Sequence, residues 1–198
     1  TVSKTFNKNK KSINIAMVGK YVSLTDSYVS VNEALSHAAA GMNFTANLEW
    51  VESEDFEKDK NNLEKLDKYD GIIVPGGFGK RGTEGIMLAA DYARKNEIPF
   101  LGLCFGFQLA LIAFARYACG LDDANSIELD PKTKNPIINI LPSQKKIKEK
   151  GGSMRLGGHN VELIRDTRAY KIYGKDKIRQ RHRHRFEFNK EYQELLEK

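Results

Sequence analysis

The chain is organised around the stretch Ile98-Pro-Phe-Leu-Gly-Leu-Cys104-Phe-Gly-Phe-Gln108. A short apolar run, predicted as a buried strand from Pro99 to Leu103, leads straight into a predicted helix that begins at about Phe105. Glycines stand two residues before and two residues after Cys104, which is the spacing of a nucleophile elbow with cysteine in the place of serine. Such a turn strains the backbone of the nucleophile, and its neighbours must lack side chains where the turn crosses itself.

The position of Cys104 has chemical consequences. At the N-terminus of a helix, unpaired N–H groups and the helix dipole favour a thiolate, and the N–H of Phe105 becomes a candidate oxyanion-hole donor. The alternative is that Cys104 is a small buried apolar residue without a role in catalysis. The other cysteine, Cys119, ends a predicted helix without flanking glycines on both sides, and we interpret it as structural.

Length and composition set broad limits. The 198 residues, 40% of them hydrophobic, predict one domain with one sizeable core. The sequence contains no run of 18 apolar residues, so no membrane span is predicted. Residues 1–12 are polar and basic, unlike a signal peptide. We expect these residues to be a flexible leader or the end of a linker. Two cysteines make no disulfide framework, so we expect a reducing, cytoplasmic setting.

The order of predicted elements indicates the fold class. Residues 13–118 alternate between strands and helices, with strands at 13–19, 44–51, 70–75 and 99–103 and helices at 28–40, 85–96 and 107–118. A partly helical, charged segment is predicted at 53–66. This alternation predicts a three-layer, doubly wound α/β domain with a mainly parallel sheet, in which ligands bind at the carboxyl ends of the strands.

The second half of the sequence is less regular. Strands are predicted at 137–141, 159–164 and 179–189, a charged mobile run at 144–150, a glycine-rich loop at 151–158 and the start of a helix at 191–198. The first 118 residues therefore carry most of the argument for the fold.

A double glycine, Gly76-Gly77, directly follows the apolar strand Asp70 to Pro75. Glycine allows close approach of a ligand and a positive φ, which can aim an N–H at a developing negative charge. The alternatives are a plain tight turn and a phosphate-binding loop, but the chain has neither a P-loop motif nor the glycine spacing of a dinucleotide fingerprint. Acyl transfer through a thioester needs a thiolate and two N–H donors, and Gly77 and Phe105 are the candidate donors.

Taken together, these motifs resemble the class I glutamine amidotransferases. The residues concerned are Val74-Pro-Gly-Gly-Phe-Gly79, Leu101-Gly-Leu-Cys-Phe-Gly-Phe-Gln108 and Glu128. Further stretches are similar to the glutaminase domain of CTP synthases: Ala16-Met-Val-Gly-Lys-Tyr21, Ser30-Val-Asn-Glu-Ala-Leu35, Arg81-Gly-Thr-Glu-Gly85, Ala124-Asn-Ser-Ile-Glu128, Gly152-Ser-Met-Arg-Leu-Gly157 and Arg181-His-Arg-His-Arg-Phe-Glu187. The resemblance extends from about Ile13 to the C-terminus.

The resemblance implies a function and its residues. Such a domain hydrolyses L-glutamine, and a synthetase domain uses the ammonia, ATP and magnesium to convert UTP to CTP, within a tetramer. Cys104 would form the glutamyl thioester, and the N–H groups of Gly77 and Phe105 would hold the oxyanion. The glutamine site would be lined by Phe105, Gly106, Phe107 and Gln108. Glu128 would bind the α-amino group of glutamine and Arg185 its α-carboxylate, which suits a guanidinium. No metal or cofactor is expected in this domain.

Two parts of the family pattern are missing from the 198 residues. One is the synthetase domain, which the resemblance places before Thr1. The other is a His-Pro-Glu segment, whose histidine is the family's general base. The four histidines of the chain are His37, His159, His182 and His184, and we interpret none of them as that base. We therefore expect a domain truncated at its C-terminus, with weak or no glutaminase activity on its own.

Three alternative functions stay open on the sequence alone. A different cysteine hydrolase, such as a DJ-1/PfpI-like protein, also carries its cysteine on an elbow, although Glu128 and Arg185 as a clamp for a zwitterion argue against it. The arginines at 179, 181, 183 and 185 are compatible with a nucleic-acid-binding stripe, but aromatic residues nearby are limited to Phe186 and Phe188. A catalytically dead, regulatory glutaminase-like domain is the third alternative.

Overall fold

The computed structural model describes residues 11–20, 28–140 and 155–198. The chain divides into two compact units, one made of Thr1–Ile138 with Asn189–Lys198 and the other of Asn139–Phe188. The predicted charged run at 144–150 and most of the predicted leader lie outside the described residues. Within the described part of the chain, no helix is both long and apolar enough to cross a membrane.

A parallel four-stranded sheet forms the centre of the larger unit, with its strands in the order β2-β1-β3-β4. The strands are β1 (Lys11–Gly19), β2 (Phe44–Glu52), β3 (Gly71–Val74) and β4 (Phe100–Gly102). The last five residues of β1 and all four residues of β3 are buried, as is typical of parallel strands covered on both faces. These two strands therefore form the rigid middle of the unit.

Helices connect the strands. They are α1 (Val29–Gly41), α2 (Glu54–Lys58), a 3-10 helix at Lys60–Lys68, α3 (Thr83–Lys95) and α4 (Phe105–Tyr117). The apolar side of α4 buries Leu109, Ile112 and Ala113, and α3 buries Ile86, Met87 and Ala89. A helix after each of β1, β3 and β4, with a parallel sheet between, confirms the predicted α/β class.

The rest of the larger unit comprises two short parallel strands and the C-terminal residues. The strands are β5 (Ala124–Ser126) and β6 (Asn135–Ile140), the second of which continues into the smaller unit. The backbone N–H of Asn189 donates to the carbonyl of Ile137, and the hydroxyl of Tyr192 donates to the side chain of Asn135. A 3-10 helix (Lys190–Tyr192) and a short helix follow, so the predicted C-terminal helix is only four residues long, at Gln193–Leu196.

Two predictions for the larger unit were wrong. The strand before Cys104 was expected to be buried, but β4 is the outermost strand of the described sheet, and Leu101 is 53% exposed. An apolar run indicates a buried strand only when elements cover both of its faces. The prediction also missed β5, because three residues are too short for a recognisable periodicity.

In the smaller unit, an antiparallel pair is formed by β7 (Arg155–Glu162) and β8 (Lys177–His184). The helix α5 (Arg168–Tyr173) connects them and was not predicted. The predicted loop at 151–158 is wrong for residues 155–158, which begin β7. The predicted single strand at 179–189 is also wrong, because β8 ends at His184 and a separate strand, β9 (Phe186–Phe188), begins after Arg185.

Candidate active site

Three neighbouring strands of the larger unit deliver their carboxyl ends to one edge of the sheet. Lys20 directly follows β1, the glycine loop (residues 76–79) follows β3, and Cys104 follows β4. The strands β1, β3 and β4 are consecutive in the sheet and parallel, so these three segments lie side by side. In open α/β sheets this edge is where ligands bind.

The turn at Cys104, here called the elbow (residues 102–106), has strained backbone geometry. Cys104 has φ 51° and ψ −105°, and α4 begins at the next residue. A Cβ at Gly102 would lie 2.5 Å from the N atom of Phe107, and one at Gly106 would lie 2.3 Å from the carbonyl oxygen of Val74. Both positions therefore exclude any side chain, as the sequence pattern predicts. Strain of this kind costs about 1–3 kcal/mol and concentrates at functional sites.

The glycine loop lies against the elbow. A Cβ at Gly76 would be 3.6 Å from Cβ of Cys104, and a Cβ at Gly77 would be 3.6 Å from Cδ1 of Phe105. These are ordinary contact distances, so the two glycines keep the space beside the cysteine open rather than relieving a clash. The positive φ expected at the double glycine is found instead at Gly79, with φ 80°. The backbone therefore turns two residues later than the sequence suggested.

The acidity of the Cys104 thiol differs from the expectation. Burial raises its pKa, the backbone N–H of Phe105, which donates to the sulfur, lowers it, and the negative charge of Glu128 raises it. The net direction is upward, even though Cys104 is exposed and stands at a helix N-terminus. The expected preference for a thiolate is therefore wrong for the thiol in this structure. Burial of the sulfur raises its pKa by more than the hydrogen bond from the N–H of Phe105 lowers it.

Glu128 lies on the turn that follows β5. Its backbone N–H donates to the hydroxyl of Ser126. Nε of Arg116 donates to the carbonyl of Ala124 on the same strand. The charge of Glu128 acts on both Cys104 and Lys20. The structure therefore brings this carboxylate into the neighbourhood of the elbow, as the resemblance implies.

Lys20 was not predicted to belong to the site. Lys20 is only 5% exposed, and its ammonium donates to the carbonyls of Phe78 (3.0 Å) and Gly79. The same nitrogen lies 4.5 Å from the centre of the Phe105 ring. Burial lowers the pKa of Lys20 to about 8. The one available signal was its position directly after β1, at the edge where the other strand ends meet.

The other predicted residues of α4 differ in exposure. Phe105, Gly106 and Gln108 are buried, whereas Phe107 is 50% exposed. The α-carbon of Gly106 faces Val74, so its absent side chain serves the packing of α4 on β3. Phe105 contributes both its N–H toward the sulfur and its ring toward Gly77 and Lys20.

Arg185 belongs to the smaller unit and lies between β8 and β9. Arg179, Arg181 and Arg183 occupy exposed positions that alternate along β8, whereas Arg185 is partly buried. Its Nε is buried and has no hydrogen-bond partner among the described residues. The bend after His184 thus separates Arg185 from the three solvated arginines that precede it.

The four histidine rings make contacts within their own secondary-structure elements or with an adjacent strand. Nδ1 of His182 is 3.1 Å from Nε2 of His184, whose Nδ1 is 3.0 Å from the carbonyl oxygen of Phe186. The ring of His159 meets that of His182 edge-on, with centroids 5.3 Å apart. His37, on α1, lies 3.7 Å from the carboxylate of Glu33. These contacts occupy the ring nitrogens of His184 and place His37 on the surface.

Comparison with known proteins identifies the family. The sequence model described as "Glutamine amidotransferase class-I" matches residues 23–198. CTP synthase of Syntrophus aciditrophicus is 52% identical over 185 residues, and that of Sulfurisphaera tokodaii is 50% identical over 188. These matches cover 93% and 95% of the chain but only 34% and 35% of the relatives. The chain therefore spans about a third of the length of the curated relatives.

A solved structure gives the same result in three dimensions. The glutaminase domain of a CTP synthase from Trypanosoma brucei, with bound acivicin, matches with a TM-score of 0.87 and 35% identity. The match covers 93% of this chain and 71% of that one. The chain belongs to the class-I glutamine amidotransferase family and, within it, to the group of CTP synthase glutaminase domains.

Proposed function

We propose that this chain hydrolyses L-glutamine through a glutamyl thioester on Cys104 and supplies the ammonia for the conversion of UTP to CTP. The observation that supports the proposal is the strained elbow, at which the sulfur stands at the start of α4 and receives the backbone N–H of Phe105. Phe105 follows the sulfur directly, and Gly77 lies against the Phe105 ring. Nucleophilic cysteines of acyl-transfer enzymes need this combination of an exposed thiol and fixed donors.

The chemistry has two stages. The sulfur of Cys104 attacks the side-chain amide carbon of glutamine, and the carbonyl electrons move onto the oxygen, which the N–H groups of Gly77 and Phe105 stabilise. When this intermediate collapses, the C–N bond breaks and the thiol proton leaves with ammonia. Water then attacks the thioester, giving glutamate and the free thiol. Removing one oxyanion donor typically costs about 10²–10³-fold in rate.

The raised pKa of Cys104 fits a site that is activated by its substrate. Glu128 is one cause of the raised pKa. In the proposal its carboxylate pairs with the α-amino group of glutamine, which reduces the negative charge felt by the sulfur. Arg185, whose buried Nε has no hydrogen-bond partner among the described residues, is proposed to bind the α-carboxylate. Phe107 and Gln108 are proposed to line the same site.

The wider activity follows from the relatives that are named CTP synthases. We propose that a synthetase domain receives the ammonia and uses ATP and magnesium, in a tetrameric enzyme. The 198 residues contain no His-Pro-Glu segment. Turnover by these residues alone is therefore expected to be weak, and a single covalent event is a better test than a steady-state rate.

The test is labelling of the chain with 6-diazo-5-oxo-norleucine, a glutamine analogue that loses N₂ when a thiol forms a thioether with it. Intact-mass analysis and peptide mapping are expected to show one adduct, on Cys104, and excess L-glutamine is expected to suppress it. Cys119→Ala is the matched control, because it removes the other cysteine and should leave labelling unchanged. Cys104→Ala should abolish it.

Two outcomes would contradict the proposal. Labelling of Cys104 that excess glutamine does not slow would indicate a reactive thiol without a glutamine site, as in another cysteine hydrolase. Absence of labelling, with Cys104 shown to be reduced in a folded chain, would indicate a glutaminase fold with a non-catalytic, regulatory role.

A further inference from the structure

Lys20 is a buried cation that the proposed chemistry does not use. Its ammonium lies among groups from several elements: the carbonyls of Phe78 and Gly79 on the glycine loop, and the ring of Phe105 on α4. A lysine that is only 5% exposed is uncommon unless its charge has partners. The question is what this charge does at the edge of the site.

The geometry connects the two oxyanion donors through one nitrogen. Gly77 immediately precedes the two carbonyls that Lys20 holds, and Phe105 supplies the ring that the same ammonium approaches within 4.5 Å. The N–H of Gly77 is on a loop whose own residues 77–79 are exposed, so packing alone does not fix it. Lys20 is thus a buried side chain that contacts both the glycine loop and the first residue of α4.

We propose that Lys20 is a positioning residue that holds the glycine loop against Phe105 and thereby keeps the N–H of Gly77 directed at the developing oxyanion. The inference rests on the proposed glutaminase function. Lys20 acts through the loop backbone and contacts neither the reacting carbon nor the sulfur in this scheme. A misplacement of about 1 Å at a reacting group can reduce a rate about 10²-fold, which sets the size of the expected effect.

The charges that face Lys20 come from three further places. Glu128, after β5, and Glu57, on α2, favour the charged ammonium, whereas Arg81, before α3, disfavours it. Burial outweighs them and brings the pKa of Lys20 down to about 8. The ammonium is therefore present at neutral pH and is lost above about 8, so its hold on the two carbonyls weakens there.

The experiment compares two electrophiles on the wild-type chain, Lys20→Met and the matched control Lys80→Met. Lys80 is an exposed lysine directly after the same loop, so its removal changes the charge equally. The chloromethyl ketone analogue of glutamine, 6-chloro-5-oxonorleucine, uses the oxyanion hole, and Cys104 displaces its chloride. Iodoacetamide alkylates the same sulfur without needing the hole. The ratio of the two rates at Cys104 removes any change in the thiolate fraction.

The ratio is expected to fall about 10- to 100-fold in Lys20→Met and to stay within about twofold in Lys80→Met. Thermal unfolding at pH 7 serves as the folding control. A cooperative unfolding transition in Lys20→Met shows that the variant is folded, and its labelling ratio is then compared with that of wild type. A ratio equal to that of wild type, or an equal fall in both variants, would overturn the inference.

A measurement on the unaltered chain covers the case in which Lys20→Met does not fold. In wild type the ratio should decrease as pH rises through about 8, because Lys20 loses its proton there. A ratio that stays flat from pH 7 to pH 9.5 would overturn the inference. Failure of the proposed function looks different, because wild type itself would then show no glutamine-protected reaction with the chloroketone.

Discussion

The elbow and the hairpin formed by β7 and β8 differ in how tightly their residues are packed. At the elbow, a Cβ added at Gly102 or at Gly106 would lie 2.5 Å or 2.3 Å from a backbone atom, and the neighbouring strand β3 is wholly buried. Along β8, exposed and partly buried residues alternate, and no residue is fully buried. Steric packing therefore restricts which residues can occupy the elbow. On the hairpin the backbone restricts the residue type less, and contact with solvent or a ligand has more influence.

Packing and ligand binding leave different traces in a sequence. A residue that packing dictates leaves a pattern in the sequence, as the two glycines around Cys104 do. A residue chosen for a ligand leaves none, and Arg185 looks in the sequence like Arg179, Arg181 and Arg183. Three experiments test the comparison, in order of decreasing expected effect.

The largest effect is expected from an alanine at the elbow. In Gly106→Ala the new Cβ meets the carbonyl oxygen of Val74 at 2.3 Å, and neither backbone can move without disturbing the sheet. We expect a loss of about 3 kcal/mol or more in the free energy of unfolding, measured by urea denaturation. Gly158→Ala is the control on the hairpin, where the new Cβ meets only the mobile end of the Arg179 side chain.

For Gly158→Ala we expect a change within about 0.5 kcal/mol. Equal losses in the two variants would show that the hairpin is as tightly packed as the elbow. A mild effect at Gly106 would show that α4 can shift away from β3, and the steric account of the elbow would then be wrong.

An intermediate effect is expected from Arg185→Met. The substitution removes the guanidinium proposed to bind the α-carboxylate of glutamine, a charge-assisted interaction typically worth about 1.5–3 kcal/mol. The glutamine concentration that halves the rate of Cys104 labelling should therefore rise about 10- to 100-fold. The melting temperature should change little, since Arg185 is only partly buried.

Arg183→Met is the matched control for this measurement. It removes an equal charge from an exposed position two residues earlier, and glutamine protection should be unchanged. Equal weakening by both substitutions would point to a general electrostatic attraction, and the distinct role of Arg185 would have to be abandoned.

The smallest effect concerns the acidity of Cys104. Burial raises its pKa, so without glutamine the alkylation of Cys104 by iodoacetamide should have its midpoint at a higher pH in the folded chain than in the urea-unfolded chain. The neutral thiol is thus favoured by folding, and the folded chain should react more slowly at pH 7. Glutathione in the same urea solutions controls for the solvent, and a midpoint at lower pH in the folded chain would contradict the structure.

Much of the fold followed from local rules. The alternation of strands and helices up to residue 118 and the strained turn at Cys104 were predicted because they depend on periodicity and on the steric demand of a tight turn. The errors occurred where distant elements decide. Leu101 is exposed because β4 is the outermost strand of the described sheet, and β5 is a strand only because it pairs with β6.

The site shows the same division. The sequence by itself determined the elbow, the neighbouring glycine loop and the family, since these depend on residue types at fixed short spacings. Only the tertiary structure decided that Lys20 joins the loop to Phe105, that Arg185 leaves the row of solvated arginines, and that the pKa of Cys104 moves upward. The physical reason is that burial and electrostatic interactions depend on atoms brought together by folding from distant parts of the chain.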